Sequence, residues 1–179
     1  MSFAEFAGIR ILDWFLAHPS QKIHFKQLCR ELALSPLTVK SYCEEFLPCS
    51  WLLEERQANL RIFFLNNQHY SVRAMKRAHA LEFLRKSGVE KAAGDEAISF
   101  ALYGSHASGE YDEHSDFDFL LVGRREHADI GKLREFEKTT GKKAQLTIIS
   151  LDKWETGKRR DPFVFSVLKN HALLKGAPL

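Results

Sequence analysis

The sequence predicts a mixed α/β protein in two parts, a small α+β unit followed by an alternating α/β unit. Three observations predict it. Up to residue 69, apolar residues recur three times at helical spacing and then give way to two short runs rich in strand formers. From residue 96 onward, short apolar runs alternate with amphipathic stretches, as strands alternate with helices. Between them, residues 70–95 read as a basic helical connector.

Ile9, Leu12 and Leu16 mark the apolar face of a first helix, which stops at His18-Pro19. Phe25, Leu28 and Leu32 repeat the spacing in a second. Ser35-Pro36 supplies an N-cap with proline in the first helical position, and Val39, Tyr42, Cys43 and Phe46 form the buried face of a third helix ending near Pro48. Trp51–Arg56 and Leu60–Leu65 pair as a hairpin, with Asn59 expected in a left-handed turn position. In the connector, Val72, Met75, His79 and Phe83 lie near helical spacing, Arg73, Lys76, Arg77, Arg85 and Lys86 make it basic, and Ala92-Ala93-Gly94 reads as a hinge. Beyond it come a strand over Ile98–Tyr103, a strand reaching Val122, a helix carrying Ile130, Leu133 and Phe136 and stopping at Gly141, and a strand over Ala144–Ser150. A last helix starts at Asp161-Pro162 with Val164, Val167 and Leu168 inward, and Gly176 lies beyond its end.

Chemistry concentrates between residues 102 and 122. The first apolar strand runs into Gly104-Ser105, and ten residues lie between Ser105 and Asp116-Phe117-Asp118, which opens the next. Side chains alternate along a strand, so Asp116 and Asp118 point to one side while Phe117, Phe119 and Leu121 point to the other. Two carboxylates held close repel, and a divalent cation between them relieves the repulsion. The Gly-Ser turn lets backbone approach a ligand, and N–H groups at a helix start attract phosphate.

A phosphate cradle at fixed spacing before paired acids resembles the nucleotidyltransferase superfamily that includes DNA polymerase beta, and within it the minimal nucleotidyltransferases. Gly104, Ser105, Asp116 and Asp118 match its signature in type and spacing, and Ala107, Gly109 and Ser115 fall where relatives often carry small residues. The resemblance implies a nucleotidyltransferase-fold domain over 96–179, with Mg²⁺ or Mn²⁺ and an NTP, ATP favoured, as cofactor and substrate. It implies Gly104 and Ser105 as nucleotide-binding and Asp116 and Asp118 as metal-binding, catalytic residues. Small antitoxin-type relatives adenylylate a tyrosine on a small helical toxin, so a toxin-like protein partner is among the implied acceptors; other branches modify antibiotics or RNA ends. Residues 1–69 likewise resemble a winged helix-turn-helix, with Leu34-Ser35-Pro36 as the turn before the recognition helix. That likeness implies DNA contacts from Lys40, Arg56 and Arg61, although one lysine against Glu44 and Glu45 on the third helix is a poor footprint for base reading. A winged helix used for protein contact or homodimerisation is the other reading.

Active relatives carry a third carboxylate on the strand after Asp-x-Asp. Here Gln145 stands at that position, with Asp152 and Glu155 as later candidates to replace it. Two functions therefore stay open at this point. One is Mg²⁺-dependent transfer of a nucleoside monophosphate to an acceptor hydroxyl. The other is a DNA-binding regulator whose nucleotidyltransferase domain senses nucleotide or is inactive.

Composition sets the bounds. At 179 residues, 45% hydrophobic and 27% charged, the chain reads as an ordinary globular protein, and a formal charge of +3 permits nucleic-acid contact without arguing for it. No apolar run approaches the ~20 residues of a membrane span. Glu5, Arg10 and Asp13 interrupt the N-terminal apolar residues, against a signal or transit peptide. Cys29, Cys43 and Cys49 are odd in number and unpatterned, which favours buried thiols in a reducing cytoplasm over disulfides or zinc.

Overall fold

The computed structural model describes residues 6–179, which leaves Glu5 outside the described residues. The chain divides into two compact units, residues 1–79 and 80–179.

In the first unit the order is α1 (Ala7–Ala17), β1 (Ile23–His24), α2 (Phe25–Leu32), α3 (Pro36–Phe46), β2 (Leu52–Gln57) and β3 (Leu60–Leu65). Ser35 caps α3 by accepting a hydrogen bond from the Thr38 N–H at 3.1 Å, with Pro36 at the first helical position. The strands form an antiparallel sheet in the order β1-β3-β2. β1 was not expected, because two residues carry no periodicity. Ile11, Phe15, Leu28, Val39, Cys43, Leu52 and Phe63 fill the core between helices and sheet. Each of the Ile, Leu, Val and Phe side chains among them contributes about 1.5–3 kcal/mol on burial. The two-residue turn between β2 and β3 takes its positive φ at Ala58 (53°) rather than at Asn59, as expected of a turn that needs φ > 0 at its first central residue. Cys29 and Cys43 are buried and Cys49 is exposed, all three as free thiols.

α4 (Tyr70–Ser87) contains the division between the units, at His79 and Ala80. The hinge expected at Ala92-Ala93-Gly94 is not an exposed link. Ala92 and Ala93 are each 1% exposed, the Ala92 carbonyl accepts from Asp129 N–H at 2.8 Å, and Gly94 N–H donates to the His127 carbonyl at 2.8 Å. Small residues fit there because the chain is packed, not because it bends. The stretch 70–95 is therefore split between the units rather than standing as a connector of its own.

The second unit follows with β4 (Ser99–Tyr103), α5 (Gly104–Ser108), β5 (Phe117–Val122), α6 (Ile130–Thr140), β6 (Ala144–Ile149), α7 (Leu151–Gly157), α8 (Pro162–Lys169) and β7 (His171–Gly176). Its sheet has the order β6-β5-β4-β7; β4 is antiparallel to β5 and β7, and β5 is parallel to β6. A parallel pair needs a crossover, which α6 provides. Strand alternation then sorts the side chains. Phe100, Leu102, Phe117, Phe119 and Leu121 pack against Leu84, Leu133 and Phe136 on one face. Leu120 and Val122 pack with Trp154, Val164 and Val167 on the other. α7 and β7 were not foreseen. Among the described residues, no helix is long and apolar enough to cross a membrane.

Candidate active site

β4 ends at Tyr103, and the chain turns at once into α5. The turn requires glycine: Gly104 has φ +73°, and a Cβ there would lie 2.4 Å from Oδ2 of Asp118. Gly104 therefore does two things, taking a backbone conformation that L-residues avoid and leaving room for a carboxylate directly against it. Ser105 follows on α5, half-buried, on the same turn.

The acids come from the start of β5. Asp118 lies opposite Tyr103 on β4 and is half-buried. Burial, and secondarily the charge of Asp116, push its carboxyl above the usual carboxylate value. Asp116 sits one residue ahead of the strand, which begins at Phe117. The Asp116–Phe117 peptide is held at both ends. Phe117 N–H donates to the Lys143 carbonyl at 2.9 Å, and the Asp116 carbonyl lies 3.1 Å from Nδ1 of His106. Phe117 itself goes into the opposite core, so the two acids stay on one side.

Gln145 on β6 is paired in register with Asp118, and its Nε2 donates to Oδ2 of Asp116 at 2.9 Å. The position expected for a third acid is thus beside the two aspartates, filled by an amide that donates to Asp116. Asp152 and Glu155 lie past the other end of β6, on α7. β6 runs on from Gln145 to Ile149, roughly 13 Å at ~3.3 Å per residue, before either residue appears on α7. Glu155 there pairs with Lys158 at 2.8 Å. Among the described residues, no group of three or more His, Cys, Asp or Glu side chains is arranged to hold a metal ion.

Register carries the row further across the sheet. Gln145, Asp118, Tyr103 and His171 lie side by side on successive strands. The Tyr103 hydroxyl reaches Thr147 Oγ1 at 3.0 Å, its ring meets Phe163 edge-on at 5.4 Å, and His171 Nδ1 donates to the Val167 carbonyl at 3.0 Å. The sequence did not reveal Tyr103, His106 or His171 as neighbours of the acids. Tyr103 precedes the Gly-Ser turn and could have been read as facing Asp118 from strand alternation; His171 lies on the strand that was missed.

The cations expected to face DNA each have a carboxylate of their own unit within ion-pair distance. Arg61 grips Glu54 with Nε at 2.7 Å and Nη2 at 2.8 Å, and reaches Glu44 at 3.4 Å. Lys40 lies 3.9 Å from Glu44, and Arg56 lies 3.9 Å from Glu54. The Arg61 guanidinium holds the Glu54 carboxyl below its ordinary value, chiefly through their hydrogen bonds. The first-unit residues expected at DNA thus neutralise carboxylates of the same unit.

Residues 84–174, just over half of the chain, match the family model described as "Nucleotidyltransferase domain". That match begins before residue 96, inside α4. Among curated proteins, none matches this sequence. A solved structure described as "Crystal structure of the toxin-antitoxin with AMP-PNP" is 16% identical over 56% of this chain and 73% of that one, with a TM-score of 0.33, a likeness too slight to bear on the fold.

Proposed function

This chain belongs to the nucleotidyltransferase domain family, and on that premise we propose that it transfers a nucleoside monophosphate, AMP from ATP, to an acceptor hydroxyl with the help of one Mg²⁺ ion. The observation that carries the reading is the convergence of Gly104, Asp116 and Asp118. Two hard oxygen donors side by side suit Mg²⁺, and the Asp118 carboxyl is raised first by burial and then by the charge of Asp116, a repulsion that a cation would relieve. When bound there, the ion would neutralise the triphosphate and the charge that develops as pyrophosphate leaves. Gly104 and Ser105 would hold the phosphates. In the transfer, the acceptor oxygen forms a bond to the α-phosphorus, the bond from that phosphorus to the bridging oxygen breaks, pyrophosphate departs, and the hydroxyl proton passes to solvent.

The donor set fits one ion and not two. Gln145 donates to Asp116, so it occupies an oxygen instead of adding a ligand. This observation favours a second reading, in which the domain binds nucleotide without transferring it rapidly. The family resemblance offers a hydroxyl on a partner protein as one acceptor class. We further propose that the first unit is a winged helix, from its α-β-α-α-β-β order and its β1-β3-β2 sheet. The pairing of Lys40, Arg56 and Arg61 with Glu44 and Glu54 favours protein contact over DNA for it.

Calorimetry of ATP binding with Mg²⁺ and with chelator tests the site, beside the variant carrying Asp116→Asn and Asp118→Asn. Binding should require Mg²⁺ and fail in the variant; metal-independent binding unchanged by the substitutions refutes the assignment. Pyrophosphate release in the same samples separates transferase from nucleotide sensor.

A further inference from the structure

His106 is 3% exposed, yet it directly follows the Gly-Ser turn. Its ring is stacked between Tyr111, at 4.3 Å and 10°, and Phe117, at 3.8 Å and 21°. Phe83 of α4 extends the column, stacked on Phe117 at 5.6 Å and 8°. A buried polar ring in such a column needs a reason, because apolar rings would fill it without a desolvation cost. The partner of Nδ1 supplies one. It is the Asp116 carbonyl at 3.1 Å, and a carbonyl only accepts, so Nδ1 carries the proton.

We infer that His106 is a positioning residue for Asp116: its Nδ1–H fixes the Asp116–Phe117 peptide and so aims the Asp116 carboxylate toward Asp118. The peptide has two polar ends. Its N–H is held by the Lys143 carbonyl, which ties it to the chain entering β6, and its carbonyl is held by His106, which ties it to α5. With both ends fixed, rotation of the peptide plane is blocked, and the direction in which the Asp116 side chain leaves Cα is set. Because α5 begins at Gly104, the same bond also fixes the distance between the phosphate turn and the acids. Burial removes water as a competitor for the carbonyl, so the bond is not exchanged for a solvent one.

The inference rests on the proposed role of Asp116, but one test does not need a nucleotide. Gln145 Nε2 donates to Asp116, so its side-chain amide signal in NMR reports where that carboxylate points. In nucleotide-free protein with chelator, His106→Phe keeps an aromatic ring in the stack and removes the donor, whereas His106→Asn breaks the stack and keeps a donor near Nδ1. The hydrogen-bonded shift of the Gln145 amide should be lost in His106→Phe and retained in His106→Asn, although His106→Asn should melt lower. Mg²⁺-dependent ATP affinity should follow the same order, on the order of ten-fold weaker in His106→Phe. A Gln145 signal unchanged in His106→Phe, or one that follows melting temperature across the variants, overturns the inference. So does a ring-¹⁵N spectrum of wild type showing Nδ1 unprotonated, a measurement that needs no variant to fold. If wild type binds no Mg²⁺·ATP, the proposed function fails while the Gln145 signal still decides the role of His106.

Discussion

Replacing Gln145 by glutamate turns a donor to Asp116 into a third negative charge beside Asp116 and Asp118. The wild-type amide lies 2.9 Å from Asp116 Oδ2, and this end of β6 is exposed. Losing a hydrogen bond at so exposed a site costs about 1 kcal/mol, the central value for an intramolecular bond. Repulsion between carboxylates about 4 Å apart adds about 1 kcal/mol at the dielectric of water, and more where Asp118 is half-buried. The sum, about 2 kcal/mol, corresponds to a fall in melting temperature of roughly 10 °C for a unit of this size. A divalent cation reverses the sign, because three acids bind it more tightly than two and binding stabilises only the folded state. Melting curves of wild type and Gln145→Glu, each in chelator and in Mg²⁺, are the assay. The variant should melt lower than wild type in chelator and gain more from Mg²⁺. Equal stabilisation of both proteins by Mg²⁺ would refute the reasoning, since it would put Gln145 outside the influence of the ion.

Gly104→Ala should lose about 1–3 kcal/mol of stability from backbone strain and from the clash with Asp118; denaturant titration measures the loss, and calorimetry should show Mg²⁺·ATP binding lost with it. Glu54 has a folded-state pKa below its ordinary 4.5, so its pairing with Arg61 stabilises the protein above pH 4.5 and that contribution disappears as the pH falls through the depressed value. Thermal melts across this window should therefore show Glu54→Gln less sensitive to acid than wild type, and parallel curves would count against the pairing.

Much of the second unit was legible because its signals are local. Gly104, Asp118 and the apolar strands announce themselves through spacing and alternation, and Gln145 could be placed by counting along the strand after Gly141. What escaped depends on partners distant in sequence. β7 has no alternation of its own; it is a strand because β4 offers an edge to His171–Gly176. α7 spans Leu151–Gly157, too short for a helical period to repeat, and it is held by the burial of Trp154 against the sheet. Ala92-Ala93-Gly94 misled because small residues suit a hinge and a tightly packed crossing equally well, and only burial separates the two. In the first unit, the cations were visible but their partners were not: Arg61 finds Glu54 through strand pairing and Glu44 through packing of α3 on the sheet.

The outer edge of β4 is closed by a strand made much later in synthesis. Ser99 Oγ donates to the Ala177 carbonyl at 2.7 Å, a contact between residues 78 apart, and Ala177 N–H returns to the Ile98 carbonyl. While the chain is being made, β4 can pair with β5 soon after both have left the ribosome, but its other side stays open until His171–Gly176 arrives. During that interval the strand bearing Phe100, Ala101 and Leu102 is a bare apolar edge, the kind that recruits strands from other chains. The time a nascent chain spends in this state is set by the translation of residues 123–170, so synonymous codon choice over that stretch should govern the yield of soluble protein without altering a single side chain.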